Sequence, residues 1–391
     1  MYLHTYILNL IMLKRKHSGS EISIFSEMTA LAQKFDAVNL SQGFPDYEID
    51  ERLQRLLFEG TSKGFNQYAP MNGLPILLDN IVTLNCEREI PLNISKENIT
   101  VVPGASYGIY TALAAILQTG DEVIVLEPYY DSYLPSIEVN GGTPVFCSLD
   151  ESFEPNFEHI KNAITDKTRA ILINTPHNPS GKVWTEEMWN QLATLLDGTE
   201  IMVISDEVYD VLIYDDRKFY SAFHHPKLRD RSFCIFSFGK MFHITGWKVG
   251  YVLASPELNH AFGQIHQYLS FCVNAPAQYA LAKYLEVFDL KENQKKMQKK
   301  RDYFLESIKN LPFHISQKAE AGYFQTLDFT EISNVSDKEF ALWLTEKAQV
   351  AAVPVSAFYH GPHNTGVLRF CFAKKEETVL KAVENLKRFF N

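Results

Sequence analysis

Residues 233–255 read FCIFSFGKMFHITGWKVGYVLAS. Two apolar runs of strand length, FCIFSF (233–238) and VGYVLAS (249–255), bracket a polar turn that holds Gly239, Lys240, Thr245, Gly246 and Lys248. Short unbroken apolar runs suit strands buried on both faces, as in a parallel sheet. Upstream, the same kind of run recurs as ITVV (99–102), VIVL (123–126), AILIN (170–174) and IMVIS (201–205). Long helical or loop segments separate most of them. The pattern predicts an α/β fold: a mostly parallel sheet with helices on both faces.

The ends of the chain read differently. Ile24, Phe25, Met28, Leu31, Ala32 and Phe35 recur at helical spacing, which predicts an amphipathic helix over 23–35. After Pro276 a charged helix is expected over Asn293–Leu311, then strands near Gly322–Asp328 and Gly366–Phe372, and a last helix from Glu376. We expect a leader and arm (1–46) that join a small α+β domain (286–391), and a large domain between them (47–285). The first 17 residues, MYLHTYILNLIMLKRKH, place their charges after the apolar stretch, the reverse of a signal peptide. They read as a disordered or loosely docked leader, with Met12 as an alternative start.

Composition narrows the partners. The 391 residues are 46% hydrophobic and 21% charged, enough to bury a sizeable core. A net charge of −10 argues against nucleic acid, which needs a basic face. No apolar run approaches the length of a membrane span. Five scattered cysteines without a CxxC read as buried thiols in a reducing cytoplasm, with neither a zinc knuckle nor a redox pair encoded.

In open α/β sheets, ligands bind at the carboxyl ends of strands, and four such ends are unusual here. ITVV runs into Pro103-Gly104-Ala105-Ser106 and an expected helix over 107–118. Small residues opening a helix make an anion site, although Ser106 as a plain N-cap explains them too. AILIN runs into TPHNPSGK, where Asn178 sits in what is also ordinary turn chemistry. IMVIS runs into Asp206-Glu207-Val208-Tyr209: caps, a metal site, or two groups aimed at one ligand from a single turn. Lys240 follows FCIFSF among apolar and small residues, where desolvation makes a nucleophilic amine; a lone lysine is otherwise a snorkelling surface group. No GxGxxG follows any strand. Together the four ends fit one ligand, a phosphorylated, planar, electron-deficient aldehyde bound through a lysine: pyridoxal 5'-phosphate.

At this point the sequence resembles a family. SFGKMFHITGWKVGY is similar to the cofactor-lysine motif of fold-type-I, class I/II aminotransferases. LSQGFPD, NQYAP, VVPGAS, EPYYDSY, NTPHNPSGKVW, ISDEVY and VLRFCFAKKE follow in the family's order over about residues 20–390. The most similar subgroups are the bacterial methionine aminotransferases and the kynurenine/glutamine–phenylpyruvate transaminases. The resemblance implies a seven-stranded sheet in the large domain and a homodimer. It implies that Lys240 is the Schiff-base lysine and proton shuttle, that Asp206 pairs with the ring nitrogen, and that Tyr209 and Asn178 bond the ring's phenolate oxygen. By the same carry-over Tyr129 stacks on the ring, Ala105, Ser106, Ser237 and Lys248 hold the phosphate, and Tyr68 reaches it from the neighbouring subunit. Arg369 would grip the substrate carboxylate with the backbone of Gly43, and Phe25 would lie beside the side chain. Two positions depart from the family pattern. Tyr107 stands where glutamate is common, and Lys248 where many relatives have arginine.

The implied reaction is ping-pong transfer of an amino group from an apolar or aromatic amino acid, methionine favoured, to a 2-oxo acid. Cysteine-conjugate β-lyase and kynurenine aminotransferase activities use the same residues. A pyridoxal-phosphate-sensing transcription regulator needs a DNA-binding module of about 60 residues or more before the match, and some 20 residues precede it.

Overall fold

The computed structural model describes residues 22–390; the 17 residues read as a leader, Met12 among them, lie outside the described residues. Seven strands form the main sheet: β2 (Ile99–Val102), β3 (Glu122–Glu127), β4 (Thr143–Ser148), β5 (Thr168–Asn174), β6 (Met202–Asp206), β7 (Ser232–Ser237) and β8 (Gly250–Leu253). Their order across the sheet is β2-β8-β7-β6-β5-β3-β4. All neighbours are parallel except where β8 pairs antiparallel with β2 and β7. Each of the six apolar runs forms a strand. The edge strand β4, TPVFCS, escapes that reading because one of its flanks faces solvent, so it needs no unbroken apolar run and tolerates Pro144.

Helices pack against the sheet. Ala105–Ile116 begins two residues before the expected Tyr107, because Gly104 rather than Ser106 occupies the N-cap position. The charged helix runs Leu290–Ile308, offset towards the N-terminus, because the Asp289 side chain accepts from the Glu292 amide and caps it there. The N-terminal helix Ile24–Lys34 is capped by Ser23 and buries Met28 and Ala32.

The small additional domain carries an antiparallel sheet, β11 (Val353–Pro354), β12 (Val367–Cys371) and β9 (Phe324–Asp328), in that order. The N-terminal arm is tied to it twice. β1 (Val38–Asn39) pairs in parallel with β10 (Val350–Ala351), and the Cys371 amide donates to the Leu40 carbonyl at 2.8 Å. These ties bring Phe25 and Gly43 towards the carboxyl edge of the main sheet. Of the thiols, Cys147, Cys234 and Cys371 are buried, whereas Cys86, which ends the helix Pro75–Cys86, is exposed and Cys272 is half-buried. Among the described residues no helix is long and apolar enough to cross a membrane.

The strand that leads to Lys240 is buried along its length. In β7, Phe236 has no exposure and stacks on Tyr251 of β8, centroids 4.7 Å apart at 10°. Phe236→Ala is therefore expected to cost about 3–5 kcal/mol, the range for emptying an aromatic core position. Leu380→Ala, on a half-exposed position of the last helix, should stay within about 0.5 kcal/mol. Urea midpoints of the two variants read the difference; equal midpoints would contradict this packing.

Candidate active site

Strands β5, β6 and β7 lie side by side and end at Asn174, Asp206 and Ser237. The crevice beyond these ends is a cavity of about 350 Å³. Ala105, Ser106, Asn178, Asp206, Tyr209, Ser237, Lys240, Lys248, Gly43, Arg369 and Phe25 all line it, though they are dispersed from residue 25 to residue 369.

Lys240 sits one turn after β7, half-buried in the cavity wall. Its ammonium donates to the Gly43 carbonyl at 3.0 Å and faces the rings of Tyr209 and Tyr323 at 5.4 and 5.5 Å. Desolvation lowers its pKa to about 8, and the neighbouring Arg369 and Lys248 charges act the same way. An amine so placed is a usable base and nucleophile near neutral pH.

Asp206 is buried at the end of β6. Tyr133 donates to its Oδ2 at 2.5 Å, while Oδ1 is buried without a partner among the described residues. Burial pushes its pKa up to about 6, against the Tyr133 hydroxyl, the Val208 amide and the Lys240 charge, which favour the carboxylate. Its neighbour Glu207 points elsewhere, accepting from the Ser205 hydroxyl at 2.7 Å and the Ala222 amide at 3.1 Å. The two carboxylates therefore do not converge on one ion.

Arg369 is 1% exposed and meets no carboxylate within ion-pairing distance among the described residues. One Nη donates to Asn178 Oδ1 at 2.8 Å, the other to the Ser41 carbonyl at 2.7 Å, and Nε is buried with no partner. The guanidinium lies over Phe324 at 3.9 Å, with Phe25 and Phe358 each at 5.1 Å. Burial brings its pKa down to about 10, so it stays charged at neutral pH. Because arginine only donates, the Asn178 amide must present its oxygen to Arg369, which leaves its NH₂ as a donor.

The helix Ala105–Ile116 aims its first turn at the cavity, and amides at a helix start lack intrahelical acceptors. Gly104 has φ +88°, and a Cβ there would stand 3.1 Å from Lys248 Nζ. Glycine thus lets a lysine close over the helix start.

Two sequence assignments do not fall on the cavity. Tyr129 points away: its amide donates to the Phe358 carbonyl at 2.6 Å and its ring stacks on Phe146 at 5.5 Å and 28°. Anchored there, it leaves Tyr130 to turn inwards, lining the cavity with its hydroxyl at Ser106. The EPYYDSY segment offers adjacent tyrosines, and the turn after β3 selects the second. Tyr68 stands 84% exposed, edge-on to Phe271 at 5.7 Å and away from the cavity of its own chain. Residues that sequence reasoning missed also line the cavity. Gln42 adjoins Gly43 in a motif already singled out, whereas Phe324 has no local signal and arrives through the pairing of β9 with β12.

The arrangement suits pyridoxal phosphate on this chain's own atoms: an unpartnered buried carboxylate oxygen for a ring N–H, a helix start with a lysine for a phosphate, and an amine of lowered pKa for an aldehyde. An unpaired guanidinium remains for a substrate carboxylate.

Comparisons with known proteins point the same way. The family model for aminotransferase class I and II matches residues 36–386. The methionine aminotransferase of Escherichia coli strain K12 is 39% identical over 376 residues, covering 94% of this chain and 95% of that one. A kynurenine–oxoglutarate transaminase of Dictyostelium discoideum is 33% identical over 409 residues, with 93% of each covered. A crystal structure from Escherichia coli, reported with a methionine aminotransferase function, aligns with a TM-score of 0.92 at 38% identity, over 96% of this chain and 99% of that one. The family depends on pyridoxal phosphate, and its enzymes are transaminases of the fold seen here. With nearly the whole chain matched and the cavity built for that cofactor, the protein belongs to the class I and II aminotransferases.

Proposed function

We propose that this aminotransferase acts on methionine and on other apolar or aromatic amino acids, with a 2-oxo acid as acceptor, and that it works as a homodimer in the cytoplasm. The wall of the cavity carries the substrate reading. Phe25, Tyr130 and Phe324 surround the Arg369 end, and the other cations lining the cavity are Lys240 and Lys248. Aromatic faces suit a thioether or a second ring. A distal carboxylate would lie buried without a partner of its own.

Pyridoxal phosphate, when bound, supplies an aldehyde carbon for the amino group and a ring that draws electrons from the α-carbon. The chain's residues do the rest. Arg369 grips the α-carboxylate through the face that carries its free Nε, while Asn178 and Ser41 hold the guanidinium still. The amine of Lys240, whose pKa desolvation lowers to about 8, takes the α-proton at Nζ. Asp206 offers Oδ1 to the ring nitrogen, Asn178 and Tyr209 offer donors to the phenolate oxygen, and Ala105, Ser106, Ser237 and Lys248 hold the phosphate. Tyr130 takes the stacking role first assigned to Tyr129. The 2-oxo acid product leaves before the acceptor enters, which makes the kinetics ping-pong.

Support for the dimer comes from Tyr68, which stands exposed with its ring edge-on to the exposed Phe271. Exposed aromatic rings that pack on each other suit an interaction face, and in a two-fold dimer Tyr68 would complete the partner's phosphate site. Free thiols, several of them buried, suit a reducing cytoplasm.

The substrate reading is tested by kcat/KM across an amino-acid panel. Methionine and phenylalanine are expected to exceed aspartate by about a hundredfold or more, equivalent to roughly 3 kcal/mol of unpaired charge. Aspartate as the better substrate would refute the aromatic pocket. The dimer is tested by sedimentation equilibrium at assay concentration together with Tyr68→Phe. A dimer is expected, and the variant should bind pyridoxal phosphate more weakly by about 1–3 kcal/mol, one charge-assisted hydrogen bond. A fully active monomer, or unchanged affinity in Tyr68→Phe, would rule out the shared site.

A further inference from the structure

We infer that Tyr133 is a positioning residue: its phenol clamps one oxygen of Asp206 so that the other stands, as carboxylate, towards the ring nitrogen of bound pyridoxal phosphate. The inference rests on the reading of the site proposed above.

Tyr133 opens the helix Tyr133–Val139 and is 1% exposed. Its hydroxyl donates to Asp206 Oδ2 at 2.5 Å. Asp206 is held at its backbone as well, where its carbonyl accepts from Asn174 Nδ2 at 2.9 Å and from the Thr175 amide at 3.0 Å. With the main chain fixed and Oδ2 engaged, the carboxylate has no freedom to turn. Oδ1, buried and unpartnered among the described residues, belongs to a residue that lines the cavity.

The phenol also bears on the charge of Asp206. Burial raises this carboxyl into a range near neutrality, where the acid and the carboxylate compete. A protonated Asp206 would not favour a protonated ring nitrogen. The titratable and charged groups that face Asp206 are Tyr133 and Lys240, with Tyr130 and Tyr209 more distant. Lys240 is committed to the chemistry and changes its charge during turnover. Tyr133 is not, because burial holds its own pKa far above 10 and it remains a donor throughout. The same ring meets Tyr130 edge-on, centroids 5.8 Å apart at 77°, and so braces the wall on which the cofactor ring would rest. These two contributions separate cleanly in Tyr133→Phe, which keeps the ring and removes only the donor.

The test uses holoenzyme reconstituted with pyridoxal phosphate carrying ¹⁵N at the ring nitrogen. The ¹⁵N chemical shift is measured for wild type, Tyr133→Phe and Asp206→Asn, the last marking the unprotonated end of the range. Wild type is expected at the protonated end, with Tyr133→Phe displaced towards Asp206→Asn. In methionine turnover, Tyr133→Phe should lower kcat by about tenfold to a hundredfold, the effect of losing one hydrogen bond to a charged group, with KM changed less than about threefold. A urea midpoint close to wild type shows that packing is retained. A Tyr133→Phe shift identical to wild type would overturn the inference whatever happens to the rate. Wild-type protein that takes up no pyridoxal phosphate would overturn the underlying reading of the site, and this one with it.

Discussion

A guanidinium, an ammonium and a carboxylate share one small cavity here without neutralising each other. Removing such groups from water costs several kcal/mol each unless every charge is paired and fully hydrogen-bonded. In this chain they are only partly satisfied. Arg369 has Asn178, the Ser41 carbonyl and the face of Phe324; Lys240 has the Gly43 carbonyl; Asp206 has Tyr133. Asp206 Oδ1 and Arg369 Nε remain without partners among the described residues. A fold that keeps such groups is poised to receive a ligand with complementary atoms at both ends, and the two orphaned atoms mark where those atoms belong.

The architecture explains how the charges can be held apart. Asp206 ends β6 and Lys240 follows the adjacent parallel strand β7 by three residues, so the pairing of these strands sets the distance between their ends. Arg369 comes from β12 of the three-stranded sheet, and the N-terminal arm is held near the site by the pairing of β1 with β10 and by the Cys371 amide on the Leu40 carbonyl. The cation proposed to meet the substrate is thus supplied by a different sheet from the groups proposed to hold the cofactor. Phe25 travels with the arm, whose position is secured by Gln42 donating to the Phe25 carbonyl at 2.9 Å.

Much of this was legible in the sequence, for reasons that can be stated. Strands buried on both faces need unbroken apolar runs, so β2, β3, β5, β6, β7 and β8 declare themselves. Chemistry at a strand end is local, so Asp206, Asn178 and Lys240 stand out from their neighbours. What escaped depends on contacts distant in sequence. The edge strand β4 lacks the apolar signal because it is covered on fewer sides. Phe324 reaches the cavity only through the register of β9 on β12. The choice of Tyr130 over Tyr129 is made by the Phe358 carbonyl and the Phe146 ring, which capture Tyr129 on the other side. Adjacent tyrosines look alike until the partner of one of them is known.

The proposed function requires pyridoxal phosphate to attach at the desolvated amine of Lys240. The most direct measurement is borohydride reduction of the holoenzyme, followed by proteolysis and mass spectrometry of the lysine peptides. The reduced phosphopyridoxyl group is expected on Lys240, in the peptide containing SFGKMFHITGWK, at close to one per chain. Labelling that settles on another lysine, or an unmodified Lys240 in protein that carries the cofactor, would contradict it.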